Sequence, residues 1–482
     1  TNSRFFSLRW KGLIALLFEF EFLFVLFLGI SGLALSKMIC RTPKSHFFFI
    51  AAILSLALAS QAGQITEELS FPIKHYTLKN GLRVILSEDN SLPIVAVAVA
   101  YNVGSINEVP GKTGLAHLLE NLMFQGSRNV GQMQHYSFIQ KIGGVLNAMT
   151  TVDKTIFYQT VPSNQLALVL WLESDRMTTL NITPSNVENI KNQLIEDIQL
   201  RRESDPYLEN SWYFDQLLFP GFAYSHPILG TIADISRIST QDVRNFFASY
   251  YTPNNTVLSI VGDIKEQKVL PLIQKYFSTI PMGRPPPVTD LGALTKIAAI
   301  DETITNPMAP SPGFYLGYTL APRYSEDFYR LAITEYVLSK GQTSRMYKRL
   351  IDKDKTAIYM GGGIETRKDH SVFKLFVRSN NDIMNERSRR AVFAEINKIK
   401  TTLISEEELH KTKNIFKMDY FRQFDTALNK AIFLAEDLLD KGNHGPWQEE
   451  LEKYLAISHY DVSRMANKYF KDERILITLD IK

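Results

Sequence analysis

The sequence predicts an α+β protein of two homologous domains, each an antiparallel sheet covered by helices on one face. Three observations lead there. Short β-branched runs alternate with longer amphipathic segments from residue 71 to the end of the chain. Ser239-Thr-Gln-Asp-Val-Arg-Asn-Phe-Phe-Ala-Ser-Tyr-Tyr251 is echoed by Ser458-His-Tyr-Asp-Val-Ser-Arg-Met-Ala-Asn-Lys-Tyr-Phe470, and at the same offset Val257–Ile260 matches Leu476–Leu479. Pro281 and Pro285-Pro286-Pro287 punctuate the interval between the repeats. The expected division is residues 63–280 for the first domain, 281–305 for a linker and 306–482 for the second domain.

Residues 1–62 are excluded from that fold. Met38-Ile-Cys-Arg-Thr-Pro-Lys44 is a short basic segment, Phe47–Ala59 is apolar, and Ser60-Gln61-Ala62 supplies small residues where a signal peptidase reads them. Together, residues 38–62 have the form of a secretory signal peptide cleaved near Ala62, and the apolar run is too short to span a bilayer easily. Leu13–Leu35 is apolar but interrupted by Glu19 and Glu21. Residues 1–37 read as an upstream extension from a misplaced start, or as a membrane segment. The expectation is export, to a bacterial periplasm, with membrane anchoring if residues 1–37 are real. The sole cysteine, Cys40, lies within the signal. The mature chain is therefore expected to use no disulfide and no thiolate chemistry. Lys and Arg total 53 against 50 Asp and Glu, a balance that argues against nucleic acid as a partner.

In chain order, Ile73–Leu86 and Ile94–Val103 read as strands around the polar turn Ser87–Ser91. Thr113–Phe124 reads as a helix. Gln134–Ile142 is a second helix, stopped by Gly143-Gly144. Asn147–Thr151 and Thr155–Val161 are strands, Leu166–Met177 and Asn186–Glu203 helices. Thr240–Tyr251 is a helix with Thr240 as its N-cap, and Thr256–Val261 a strand. The second half opens with strand Gly313–Thr319, and its next helix, Phe328–Leu338, carries no histidine.

The chemistry concentrates in the Thr113–Phe124 helix, at His117-Leu-Leu-Glu120-Asn121. Residues i, i+3 and i+4 share one helical face, so His117, Glu120 and Asn121 project together. His-x-x-Glu-His on such a face makes a zinc hydrolase site, in which two imidazoles hold the metal and the glutamate takes a proton from bound water. Here the second imidazole is absent. With nine histidines in the chain, an isolated His-x-x-Glu carries little weight.

The surrounding residues carry more. Gly114-Leu-Ala-His117-Leu-Leu-Glu120, Phe124-Gln-Gly126, Gly143-Gly144, Asn147-Ala148 through Asp153-Lys-Thr155, Glu173-Ser-Asp-Arg176-Met177, His226-Pro227-Ile-Leu-Gly230 and Pro253-Asn-Asn255 through Gly262-Asp263 occur in this order. In this ordered set the sequence resembles the M16 metallopeptidases, the pitrilysin and mitochondrial processing peptidase family, over about Phe71–Lys482. The resemblance implies His117 as first zinc ligand, Glu120 as general base, Asn121 at the second ligand position and Asp197 at the distal one, where the family carries glutamate. This ligand set is degenerate. Asparagine offers only a neutral carbonyl oxygen, and aspartate sets its carboxylate back by about one C–C bond, roughly 1.5 Å. The resemblance also implies that Asn147, Ala148 and Thr150 lie on an edge strand to which a peptide adds, and that Tyr359 contacts substrate. His226, before Pro227, reads as structural.

The expected function is that of an M16 homologue that binds extended peptides or unfolded protein, with zinc weak or absent. It would be a non-catalytic or weakly active subunit paired with an active sister M16 chain or with itself. The alternative is an active zinc-dependent metalloendopeptidase with an unusual ligand set.

Overall fold

The computed structural model describes residues 71–219, 223–289, 299–367, 369–442 and 447–481. The expected leader, residues 1–62, lies outside them. The first half runs β1 (Lys74–Thr77), β2 (Arg83–Glu88), β3 (Ile94–Tyr101), α1 (Leu115–Leu122), α2 (Gln134–Lys141), β4 (Val145–Thr150), β5 (Thr155–Pro162), α3 (Leu166–Thr179), α4 (Pro184–Ser204), α5 (Leu208–Leu218), α6 (Ile232–Arg237), α7 (Thr240–Tyr250), β6 (Thr256–Gly262) and α8 (Glu266–Phe277). The second runs β7 (Ile300–Thr305), β8 (Gly313–Leu320), α9 (Glu326–Leu338), β9 (Tyr359–Glu365), β10 (Ser371–Arg378), α10 (Asp382–Thr401), α11 (Glu406–Phe421), α12 (Ala427–Lys441), α13 (Trp447–Leu455), α14 (His459–Tyr469) and β11 (Ile475–Asp480). Residues 300–305, expected in the linker, thus form a strand.

The strands make two sheets, β1-β2-β6-β3-β5-β4 and β7-β11-β8-β10-β9. From β2 and β7 onward the two orders match strand for strand, which is the duplication in three dimensions. Each sheet contains one parallel pair, β2 with β6 and β7 with β11, so neither is purely antiparallel. The cause is the long helical connection ahead of β6 and β11, which lets each return parallel to a strand that began its half. The helices that precede them start identically. Ser239 caps α7 and Ser458 caps α14, each in a reciprocal capping box with the aspartate three residues on. The cap is therefore Ser239 rather than Thr240. The expected run Ile73–Leu86 is broken by a hairpin at Asn80-Gly81, with Gly81 at φ +87°.

The apolar sequence of β3 is buried on both faces of the first sheet, because helices lie on both. One face carries helices of its own half. The other is crossed by α12 from the second half, which lies over β3 and β6 and accepts a hydrogen bond at Leu438 O from Arg83 Nη1, 3.1 Å. In return α5 packs on β8 and β11 of the second sheet. Phe214 and Leu218 are buried there, each worth about 1.5–3 kcal/mol of transfer energy. A Cβ on Gly317 of β8 would sit 2.7 Å from Phe214 Cζ, so a larger residue there would dislodge α5. The halves are therefore interlocked within one unit, Pro72–Lys482. Where helices on one face of each sheet were expected, the exchange of α5 and α12 between the halves adds a helix from the other half to each sheet. No helix among the described residues is long and apolar enough to cross a membrane.

Candidate functional site

Helix α1 is fixed at its start by a buried carboxylate. Glu108, with no exposed side-chain surface, accepts the Gly114 and Ala116 N–H groups at 2.8 and 2.7 Å. These are orphan donors of a helix N-terminus, where a carboxylate is favourable. His226 Nε2 lies 3.1 Å from Glu108 Oε2 and 3.1 Å from Ser105 O, which fits the structural part read for it. Gly114 has φ +88°, and a Cβ on Gly230 would fall 2.5 Å from the Gly114 backbone. The glycines of both motifs are there because the two backbones touch.

The motif Glu173-Ser-Asp-Arg176 does similar structural work behind α1. Glu173 and Arg176 are 0% and 3% exposed and paired at 2.6 Å, with Gln159 donating to Glu173 and the guanidinium 4.3 Å from the Phe157 ring centre. Asp175 holds the loop after α1 through Ser127 and Asn129.

His117, Glu120 and Asn121 project from α1 as the helical spacing predicts. His117 is mostly buried. Burial lowers its pKa, and the Asp197 charge acts in the opposite direction, so the structure brings Asp197 of α4 within electrostatic reach of the imidazole. His117 Nδ1 is buried with no hydrogen-bond partner among the described residues. Burial raises the Glu120 pKa, while the Thr150 hydroxyl and backbone N–H bond its carboxylate and oppose the rise. Glu120 thus reaches across to the edge strand β4.

The other two expected ligands are engaged elsewhere. Asn121 Nδ2 donates to His117 O at 2.9 Å, turning the amide back onto its own helix. Asp197 is half-exposed and bonded to Arg201 Nε at 2.8 Å. Among the described residues, no group of three or more His, Cys, Asp or Glu side chains is arranged to hold a metal ion. Zinc requires three protein ligands drawn from His, Cys and carboxylates. One imidazole, one amide and one carboxylate tied to arginine depart from that set at two positions.

Strand β4 is the edge of its sheet. Its outward donors alternate along the strand and include Ala148 and Thr150. Ala148 N–H bonds the exposed Asn147 side chain at 2.8 Å, and Thr150 N–H lies on the side of Glu120 and opposes the rise of its pKa. Tyr359 is elsewhere, at the start of β9 on the edge of the second sheet, 43% exposed, with Arg378 5.0 Å from its ring centre. The 380 Å³ cavity it lines includes Tyr207, Lys374 and Phe376, and no residue of α1 or β4. A feature that sequence reading missed is a 430 Å³ cleft where the two edges run out. It is lined by Thr151–Lys154 after β4, by Ile364–Arg367 at the end of β9, and by Arg323, Glu436 and Asp440. No motif marks it, because its walls come from four distant segments.

The chain matches the family profile described as Insulinase (Peptidase family M16) over residues 83–217. It matches the profile described as Peptidase M16 inactive domain over residues 237–416. It is 27% identical to the zinc protease PqqE of Helicobacter pylori over 87% of this chain and 95% of that one. It is 23% identical to a probable mitochondrial-processing peptidase subunit beta of Arabidopsis thaliana, over 83% of this chain and 77% of the relative. The crystal structure of a protease from Helicobacter pylori superposes with a TM-score of 0.81 at 26% identity, covering 85% of this chain and all of that one. With both halves matched in order and the two-sheet fold shared, the chain belongs to peptidase family M16.

Proposed function

We propose that this chain is a non-catalytic or weakly catalytic M16 subunit that holds extended peptides along β4 and pairs with an active M16 chain or with a second copy. The observation that carries the reading is the ligand set around His117. The Asn121 amide is turned into its helix and Asp197 is held by Arg201, so zinc is weak or absent. The relative from Arabidopsis, named as a subunit, supports pairing. Residues 38–62 would be the leader that delivers the chain to the periplasm. A second reading, an active zinc-dependent metalloendopeptidase with an unusual ligand set, is favoured by the unpartnered His117 Nδ1, by the intact Glu120 and by the zinc protease relatives.

Peptide holding on β4 needs only main-chain groups. Ala148→Pro removes the outward N–H and leaves the donors that face β5, and proline is tolerated at such edge positions. The affinity for a fluorescent extended peptide, read by anisotropy, is expected to fall by up to about tenfold, the worth of one hydrogen bond of about 1 kcal/mol plus the lost approach. Unchanged affinity would rule out β4 as the peptide strand.

A further inference from the structure

The second half contains a carboxylate that no zinc chemistry explains. Glu335, on α9, is 7% exposed. Its Oε1 accepts the backbone N–H of Ile364, on the edge strand β9, at 3.0 Å. In the first half, Glu120 on α1 faces the hydroxyl and backbone N–H of Thr150, on the edge strand β4, which oppose the rise of its pKa. Both helices follow the matching strands β3 and β8, and both edge strands lie outermost beside β5 and β10. Ala332 and Tyr336 stand where His117 and Asn121 stand relative to the glutamate. The carboxylate is thus present in both repeats, while the histidine occurs in only one.

The strand is shaped to receive it. β9 reads Tyr-Met-Gly-Gly-Gly-Ile-Glu, and a Cβ on Gly363 would lie 2.2 Å from Glu335 Oε1. Gly363 sits at φ +152°, where L side chains are strained. The two edge residues flank one cleft. Ile364 lines it directly, and the residues from Thr151 onward line it from the other side.

We propose that Glu335 is a positioning residue that holds β9 as the second wall of the peptide cleft, in the way that Glu120 holds β4. The proposal rests on the peptide-holding reading above. A main-chain N–H captured by a fixed carboxylate keeps the glycine-rich edge from straying, so the cleft is open at a constant width. The same bond is sensitive to pH. Burial pushes the Glu335 carboxyl up to about 7, with the Ile364 N–H and the Lys340 charge acting in the opposite direction. The other charged groups near it are already paired: Arg323 with Asp440, Asp419 with Arg422, Glu450 with Lys441, and Glu365 with Arg367. Tyr336, on the same helix, donates to Asp419. The Ile364 N–H lowers the Glu335 pKa, so it binds the ionised carboxylate more strongly than the protonated one. The latch therefore tightens as pH rises through about 7 and loosens as pH falls below it.

The test uses the whole chain with Glu335→Ala and Glu335→Gln, read by amide hydrogen exchange at Ile364 and by affinity for the same extended peptide. In wild type, Ile364 protection, corrected for intrinsic exchange, is expected to rise as the carboxyl ionises between about pH 6 and about pH 8. In Glu335→Gln it should be independent of pH, with peptide affinity within about twofold, because the amide oxygen still accepts the N–H. Glu335→Ala should lose protection at Ile364 and about fivefold in affinity, the worth of one hydrogen bond. Protection at Ile364 that is unchanged in Glu335→Ala would overturn the proposal. If Glu335→Ala does not fold, a pH slope in Glu335→Gln equal to that of wild type would overturn it instead. A wild type that binds no peptide but shows the exchange pattern would remove the peptide reading and leave the latch standing.

Discussion

Asn121→His combined with Asp197→Glu is expected to raise zinc affinity by more than about a hundredfold. Loss of a group that merely orients a ligand already costs 10- to 100-fold, and here two ligands are supplied. The imidazole enters on the same face of α1 as His117, so the helix need not move. It replaces an amide whose one bond is to the helix carbonyl of His117. The added methylene at 197 restores reach and competes with the Arg201 pair, which is largely solvent-exposed and weak. Each single change should do much less than the pair, because ligands act only when the others are placed. Isothermal titration with zinc checks this, and any cleavage gained should vanish with Glu120→Gln. A double variant that binds zinc no better than wild type would mean that α1 and α4 stand too far apart for a shared ion.

Arg176→Met is expected to destabilise the fold by about 3–5 kcal/mol, as removing one partner of a buried pair does. It leaves Glu173 fully buried, with only Gln159 donating to it. Burial already raises the Glu173 pKa, and Arg176 is the first group that opposes the rise. Without the guanidinium the carboxyl should protonate more readily, so the defect should shrink as pH falls. Urea denaturation at two pH values measures both effects. A loss under about 1 kcal/mol would show that the pair is not what holds α3 to the sheet.

These two sites show what was legible in the sequence. The Glu173-Ser-Asp-Arg176 run was visible as a motif, but its role is a buried ion pair, which only packing reveals. The helix around His117 was legible because its periodicity and its flanking glycines agree. The repeat was legible because α7 and α14 keep the same serine–aspartate cap. The exchange of α5 and α12 between sheets was not, since an amphipathic helix does not say which sheet it covers. Nor was the turn of the Asn121 amide onto its own helix, which depends on one rotamer. Glu335 escaped notice because it lacks the histidine that draws attention to Glu120, and only their shared place facing an edge-strand N–H relates them.

Under the proposed function, the residues around His117 do not make a working zinc site. Zinc content of the purified, folded chain, equilibrated with zinc and desalted, tests it most directly when read alongside peptide cleavage by wild type and Glu120→Gln. Substoichiometric zinc is expected, with little or no cleavage by either protein. One zinc per chain, with proteolysis that Glu120→Gln abolishes, would contradict it.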